Sequence, residues 1–168
     1  MENQTPFGLT LLVDKPLTWT SFDVVNKLRY KAKHVTGRKK IKVGHAGTLD
    51  PLASGLMIIC VGAHTKQIND LTGLDKSYTG TITLGGTTPS YDLETEVDQE
   101  YPLPPSDLTT LQEAANSFLG DQFQTPPIYS AKKIDGRKAY ELARKGKEVE
   151  MKSNQIHIST FKIEVNNF

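Results

Sequence analysis

Apolar residues recur along the chain with two different periods. Gly8 to Asp14 is rich in apolar, β-forming residues and predicts a strand that stops at Lys15-Pro16. Thr20-Ser21-Phe22-Asp23 reads as a capping box. Phe22, Val25, Leu28 and Ala32 then follow at helical spacing and predict an amphipathic helix, with Lys27, Arg29, Lys31 and Lys33 mostly off its apolar stripe. Leu56 to Val61 is an unbroken apolar run of strand length and predicts a buried strand. Ala63 to Leu71 suits a short helix. From Tyr78 to Leu84 the pattern alternates: Tyr78, Gly80, Ile82 and Leu84 fall on one side, and Thr79, Thr81 and Thr83 on the other. That alternation predicts a half-buried strand with Tyr78 at the start of its apolar face.

The second half is less regular. Gly85 to Pro105 is acidic and rich in Pro and Thr, and predicts a long irregular loop. Pro104-Pro105-Ser106 is placed to cap a second amphipathic helix, with Leu108, Leu111, Ala115 and Phe118 on one face and Gly120 ending it. Pro126 to Ala131 should be stiff and extended, and Gly136 to Gly146 a short basic helix. Ile156 and Ile158 alternate, whereas Phe161, Ile163 and Val165 alternate in the opposite phase, so a bulge near Ser159-Thr160 or two strands is expected. That last strand either pairs with an earlier one or belongs to a longer protein. The mixture predicts an α+β fold, a mixed, largely antiparallel sheet with flanking helices. No repeat or clear boundary divides residues 1–168.

Composition narrows the class. A chain of 168 residues with 37% hydrophobic content supports one domain with a real core. The longest apolar run is far too short to span a bilayer, and the polar N-terminal residues do not form a signal peptide. The single cysteine, Cys60, cannot make an internal disulfide and reads as a buried, inert thiol in a reducing compartment, the cytoplasm. A net charge of +1 conceals segregation. Val24 to Leu49 holds eight Lys/Arg and no Asp/Glu, Ser77 to Ala131 eight Asp/Glu and no Lys/Arg, and Lys132 to Lys147 seven basic residues against Asp135 and Glu141. Such blocks are the footprint of a polyanion partner, or simply solvated helix faces. Charge alone leaves both open.

The chemistry concentrates between Lys42 and Gly62, where one carboxylate, Asp50, sits before Pro51 among Gly44, Gly47 and Gly55. Pro51 biases Asp50 away from helical dihedrals, and the glycines permit bends that a Cβ would forbid. No H-E-x-x-H, paired C-x-x-C, P-loop, dinucleotide fingerprint or G-x-S-x-G elbow is present. What remains is an acid, a histidine five residues before it, a strand tyrosine and a basic surface. Taken alone, Asp50 is as readily an Asp-Pro turn former, Tyr78 a core tyrosine and His45 a loop hydrogen bonder.

Gly44-His45-Ala46-Gly47-Thr48-Leu49-Asp50-Pro51-Leu52-Ala53-Ser54-Gly55 closely resembles the catalytic motif of the TruB family of pseudouridine synthases. Companion stretches resemble the family in the right order: Asp14-Lys15-Pro16 with Thr20-Ser21, Thr65-Lys66, Asp75-Lys76-Ser77-Tyr78, and Pro126 to Lys133 followed by Gly136 to Tyr140 and Ala143 to Gly146. The resemblance implies a pseudouridine synthase fold with a central catalytic cleft, an RNA-binding insertion at about 126–150, and isomerisation of the uridine at position 55 of the tRNA T-loop. It implies Asp50 as nucleophile, at C1′ or C6, with no cofactor and no metal. The target base must be flipped out to be reached. His45 would fill the space it leaves, Tyr78 would stack on the flipped uracil, and Lys15 and Pro16 would shape the loop. Lys132, Lys133, Arg137, Lys138, Arg144 and Lys145 would grip the RNA backbone. The implied partner is the tRNA T-stem-loop, met by a monomer with no membrane and no obligatory protein partner.

One motif of the family is missing. Ser153 to Phe168 contains no Tyr-x-Arg to supply the arginine that pairs with the catalytic aspartate, and no room is left for a C-terminal RNA-binding domain. The expectation is therefore the N-terminal portion of a longer enzyme. The competing readings are a non-catalytic RNA-binding or tRNA-chaperone module, and the RNA-guided catalytic subunit of H/ACA particles, which shares the aspartate loop.

Overall fold

A computed structural model describes residues 7–103, 107–125 and 152–164, together with the backbone of 133–134 and 137–138. The chain is α+β and divides into two compact units, Met1–Thr79 and Gly80–Phe168.

The first unit is built on a three-stranded sheet. Strand β3, Gly55–Gly62, lies in the centre, between β1, Gly8–Lys15, and β2, Val43–His45. Both pairings are antiparallel, with Gly8 opposite Gly62, Lys15 opposite Gly55 and His45 opposite Ile59. Helix α1, Ser21–Thr36, covers one face. It begins with the expected capping box: Thr20 Oγ1 accepts from the Asp23 amide at 3.1 Å, and the Asp23 carboxylate accepts from the Thr20 amide at 2.9 Å. It ends at Gly37, which takes the left-handed conformation that closes many helices. Val24 and Val25 of α1 pack with Val43, Met57, Ile59 and Val61, and Leu28, Ala32, Trp19 and Leu49 border this core.

Three expectations here need correction. Phe22 is exposed, with the Arg29 guanidinium 6.0 Å from its ring centre. The expected stripe holds at Val25, Leu28 and Ala32, and at its start Ser21 and Val24 are buried in place of Phe22. Ser21 faces inward there, its hydroxyl tied to the backbone of Leu49. The apolar run of β3 is likewise buried on one face only at its start. Met57, Ile59 and Val61 enter the core, Cys60 is a buried free thiol, and Leu56 is exposed. After β3, a short 3-10 turn, Ala63–Gln67, leads into α2, Ile68–Thr72, in place of one continuous short helix.

The alternating stretch Tyr78 to Leu84 is not a strand. It has no regular structure, and Tyr78 and Ile82 are 73% and 69% exposed. A strand exists only through its ladder, and no described residue pairs with this segment.

The second unit consists of small ladders. The acidic segment is not wholly irregular: β4, Gly86–Thr87, pairs antiparallel with β5, Gln99–Glu100, and the Thr87 hydroxyl donates to Asp98 at 2.8 Å. Helix α3, Leu108–Asn116, is capped by Asp107, which accepts from the Thr110 amide at 2.9 Å. The expected cap, Pro104-Pro105-Ser106, lies outside the described residues. Gly120 does not end α3 but opens β6, Gly120–Gln124. Two short strands, β7 (Lys133–Ile134) and β8 (Arg137–Lys138), pair with each other. Finally β9, Asn154–Ile158, pairs antiparallel with β6; of the last strand expected through Phe161, Ile163 and Val165, the described residues 161–164 have no regular structure. The phase change after Ile158 marks the end of that strand. Beyond it the Gln112 side chain donates to the Phe161 carbonyl at 2.8 Å and accepts from the Ile163 amide at 2.9 Å.

Candidate active site

Asp50 lies on the loop that joins β2 to β3. Its own carbonyl accepts from the Ala53 amide at 3.0 Å, closing a β-turn with Pro51 at the second position, where a fixed φ is favourable. Gly47 and Gly55 bound the loop with φ of 109° and 126°, values a side-chain-bearing residue rarely adopts. The turn-forming role of Asp-Pro is therefore met by backbone alone. The carboxylate is left over: Asp50 is exposed, and its side chain has no hydrogen-bond or ion-pair partner among the described residues.

The backbone on either side of Asp50 is held firmly. Before it, Ser21 Oγ donates to the Leu49 carbonyl at 2.8 Å and accepts from the Leu49 amide at 2.9 Å. After it, the Pro51 carbonyl accepts from the Thr18 amide at 2.8 Å. Thr18 itself has a φ of 69°, strained for a β-branched residue, within a turn spanned by Lys15. Lys15 is 0% exposed and its ammonium donates to the carbonyls of Pro16 at 3.2 Å and Trp19 at 2.6 Å.

His45, half-buried on β2, is indeed a loop hydrogen bonder. Its Nδ1 lies 2.5 Å from the Gly47 carbonyl, an acceptor, so the ring proton sits on Nδ1 and Nε2 remains available. Tyr78 is neither a core residue nor part of a strand; it is exposed on the segment after α2. Of the basic residues expected to hold RNA, Lys132, Arg144 and Lys145 lie outside the described residues. Lys133, Arg137 and Lys138 are described as backbone: Lys133 stands opposite Lys138, and Ile134 opposite Arg137. Arg137 and Lys138 are thus a strand and not the start of a helix. The two segments are separated by Asp135-Gly136, a pair favoured in two-residue hairpins, and this signal was available in the sequence.

A second feature was missed. At the Gly62 end of β3, roughly 23 Å along the strand from Gly55, a concavity of about 290 Å³ is lined by Arg38, Lys40, Lys42 and Lys66 beside Phe7 and Gly62, with no carboxylate in its wall. The acid-free block Val24 to Leu49 and the Thr65-Lys66 pair were its traces in the sequence. No helix among the described residues is long and apolar enough to cross a membrane, and no group of three or more His, Cys, Asp or Glu among them could hold a metal ion.

The family model for TruB family pseudouridylate synthase (N terminal domain) matches residues 33–167. The chain belongs to this family of pseudouridylate synthases. Among individual relatives it is 51% identical over 156 residues to tRNA pseudouridine synthase B of Parabacteroides distasonis, covering 93% of this chain and 66% of that protein. It is 52% identical over 157 residues to the protein of the same name from Flavobacterium johnsoniae, covering 93% and 69%. With tRNA pseudouridine synthase B of Chlorobaculum tepidum it shares 51% over 157 residues, covering 93% and 65%. The chain spans about two thirds of the length of the relatives it matches.

Proposed function

We propose that this chain carries the catalytic part of a tRNA pseudouridine synthase that converts the uridine at T-loop position 55, with Asp50 as nucleophile. The observation that carries the proposal is the contrast within the Asp50 loop: its backbone is bonded on both sides while its carboxylate is exposed and has no partner among the described residues. A structural aspartate would spend its carboxylate on the fold, as Asp23 does at the start of α1. The family membership and the names of the relatives support the same reaction.

In that reaction the N1–C1′ bond of uridine breaks and a C5–C1′ bond forms. The C5 hydrogen leaves as a proton and N1 gains one, so no atom or electron is supplied from outside. Asp50 would make the transient covalent bond, at C1′ or C6, and its held loop would keep it aimed. The uridine must leave its stack to reach it. Tyr78, exposed at the head of a segment without regular structure, is suited to stack on the flipped base, and His45, with its ring set by Gly47, to occupy the vacated place. In the pseudouridine synthase fold these elements would line a central cleft.

Phosphates of the T-stem-loop would meet two basic regions: the concavity formed by Arg38, Lys40, Lys42 and Lys66, and the stretch holding Lys132, Lys133, Arg137, Lys138, Arg144 and Lys145. The proposed setting is cytoplasmic, acting as a monomer without an obligatory protein partner.

The test uses unmodified tRNA transcript and the 168-residue chain, without guide RNA. Tritium release from C5-labelled uridine and modification mapping should show pseudouridine at position 55 and nowhere else. Tight binding with no pseudouridine, by this chain and by any longer one, would instead establish a non-catalytic RNA-binding module, and a requirement for guide RNA would assign the chain to the RNA-guided class. Replacing Arg144 and Lys145 together by Ala should weaken binding and flatten its salt dependence. An unchanged salt slope would remove those residues from the interface.

A further inference from the structure

We infer that Ser21, the first residue of α1, is a positioning residue for the Asp50 carboxylate: its hydroxyl locks the residue before the acid while the neighbouring Thr18 amide locks the residue after it. This inference rests on the proposed role of Asp50.

Ser21 is 4% exposed and is, with Lys15, one of the two buried polar residues among the described residues. Its single hydroxyl satisfies both backbone groups of Leu49, donating to the carbonyl at 2.8 Å and accepting from the amide at 2.9 Å. Further along, the Asp50 carbonyl is held by the Ala53 amide and the Pro51 carbonyl by the Thr18 amide. From Leu49 to Pro51, four of the five backbone polar groups (one amide and three carbonyls) therefore have fixed partners. Three of the four are met from outside the loop, two by Ser21 and one by Thr18, which lie three residues apart at the entry to α1. The contact to Leu49 crosses 28 positions of sequence, and no ladder runs through it.

The rest of α1 shows what this contact costs. A helix starting here with Phe22 inside would bury a large ring and expose a serine. The structure does the opposite, leaving Phe22 61% exposed. The hydroxyl-to-Leu49 pair thus takes the place that apolar burial would claim, and the capping box at Thr20 and Asp23 holds the helix start in that rotation. Asp50 inherits its position from the helix register. Misplacing a reacting group by about 1 Å can cost a hundredfold in rate.

The experiment compares the 168-residue chain with its Ser21→Ala variant, using unmodified T-stem-loop RNA as substrate. Amide hydrogen exchange reports the lock itself, with Ile59 in the central strand as the control for the intact fold. The expected result is faster exchange at Leu49 by more than about tenfold, with Ile59 still protected. Single-turnover pseudouridine formation at saturating RNA should fall about ten- to a hundredfold with RNA affinity within twofold. Unchanged exchange at Leu49 overturns the inference. So does turnover within twofold of the parent chain when Leu49 has been released, and so does loss of protection at Ile59, which would make Ser21 a support of the whole core. If neither the parent chain nor a longer one forms pseudouridine, the functional reading fails separately, and exchange at Leu49 alone then decides whether the lock exists.

Discussion

Leu56 to Val61 and Tyr78 to Leu84 are both short apolar stretches bounded by glycine or polar residues, and they have opposite fates. The first is the centre of β3, bonded by β1 on one edge and β2 on the other, with Met57, Ile59 and Val61 against α1. The second has a cleaner period-2 pattern, yet it forms no ladder with any described residue and leaves Ile82 and Leu84 exposed. Periodicity says which face a strand would bury. Partners on both edges, and a helix to cover that face, decide whether the strand exists.

The sharpest way to break this comparison is to truncate one isoleucine in each stretch. Ile59→Ala removes a side chain that is 0% exposed and should destabilise the fold by about 2–5 kcal/mol in denaturant unfolding. Ile82→Ala should change stability by less than about 0.5 kcal/mol. A large effect at Ile82 would mean that the stretch is buried in the folded protein, and the distinction would fall.

A smaller effect tests the helix start that covers β3. Thr20→Ala deletes the cap hydroxyl and should cost about 1 kcal/mol. It should also remove an acid-sensitive part of the stability. The Thr20 hydroxyl, and then the Thr20 amide, hold the Asp23 carboxyl below its ordinary pKa. With the folded value depressed, the unfolded chain takes up the proton first. The contribution is therefore complete above the ordinary carboxylate range and disappears as pH falls through the lower folded value. In Thr20→Ala the unfolding midpoint should depend less on pH across that acid window, and an identical pH profile would contradict the assignment.

The same contrast explains what the sequence could and could not reveal. The capping box, β1, β3 and the bent loop around Asp50 were legible because each is specified locally, by Thr20 and Asp23, by apolar runs, and by Gly47, Pro51 and Gly55. Val25, Leu28 and Ala32 of α1 were legible as its inner face, but the inward place of Ser21 in front of them was not, because its hydroxyl meets Leu49 from 28 positions away. Neither was the cap at Asp107, where the prolines just before it drew the boundary too early, nor the pairing of β7 with β8, where the basic composition outweighed Asp135-Gly136. The basic concavity needed Arg38 and Lys66 brought together across the sheet end, which no local pattern encodes. Asp50 and His45 were found through a resemblance. Their geometry adds that the histidine is already engaged with Gly47 while the carboxylate is not.

The most direct test of Asp50 as nucleophile is single-turnover pseudouridine formation by Asp50→Asn on unmodified tRNA, with tRNA binding measured on the same preparation. The expected result is no detectable pseudouridine with binding close to that of the parent chain. Turnover near the parent rate would show that the exposed carboxylate at the head of the Asp50–Ala53 turn is not the group that attacks.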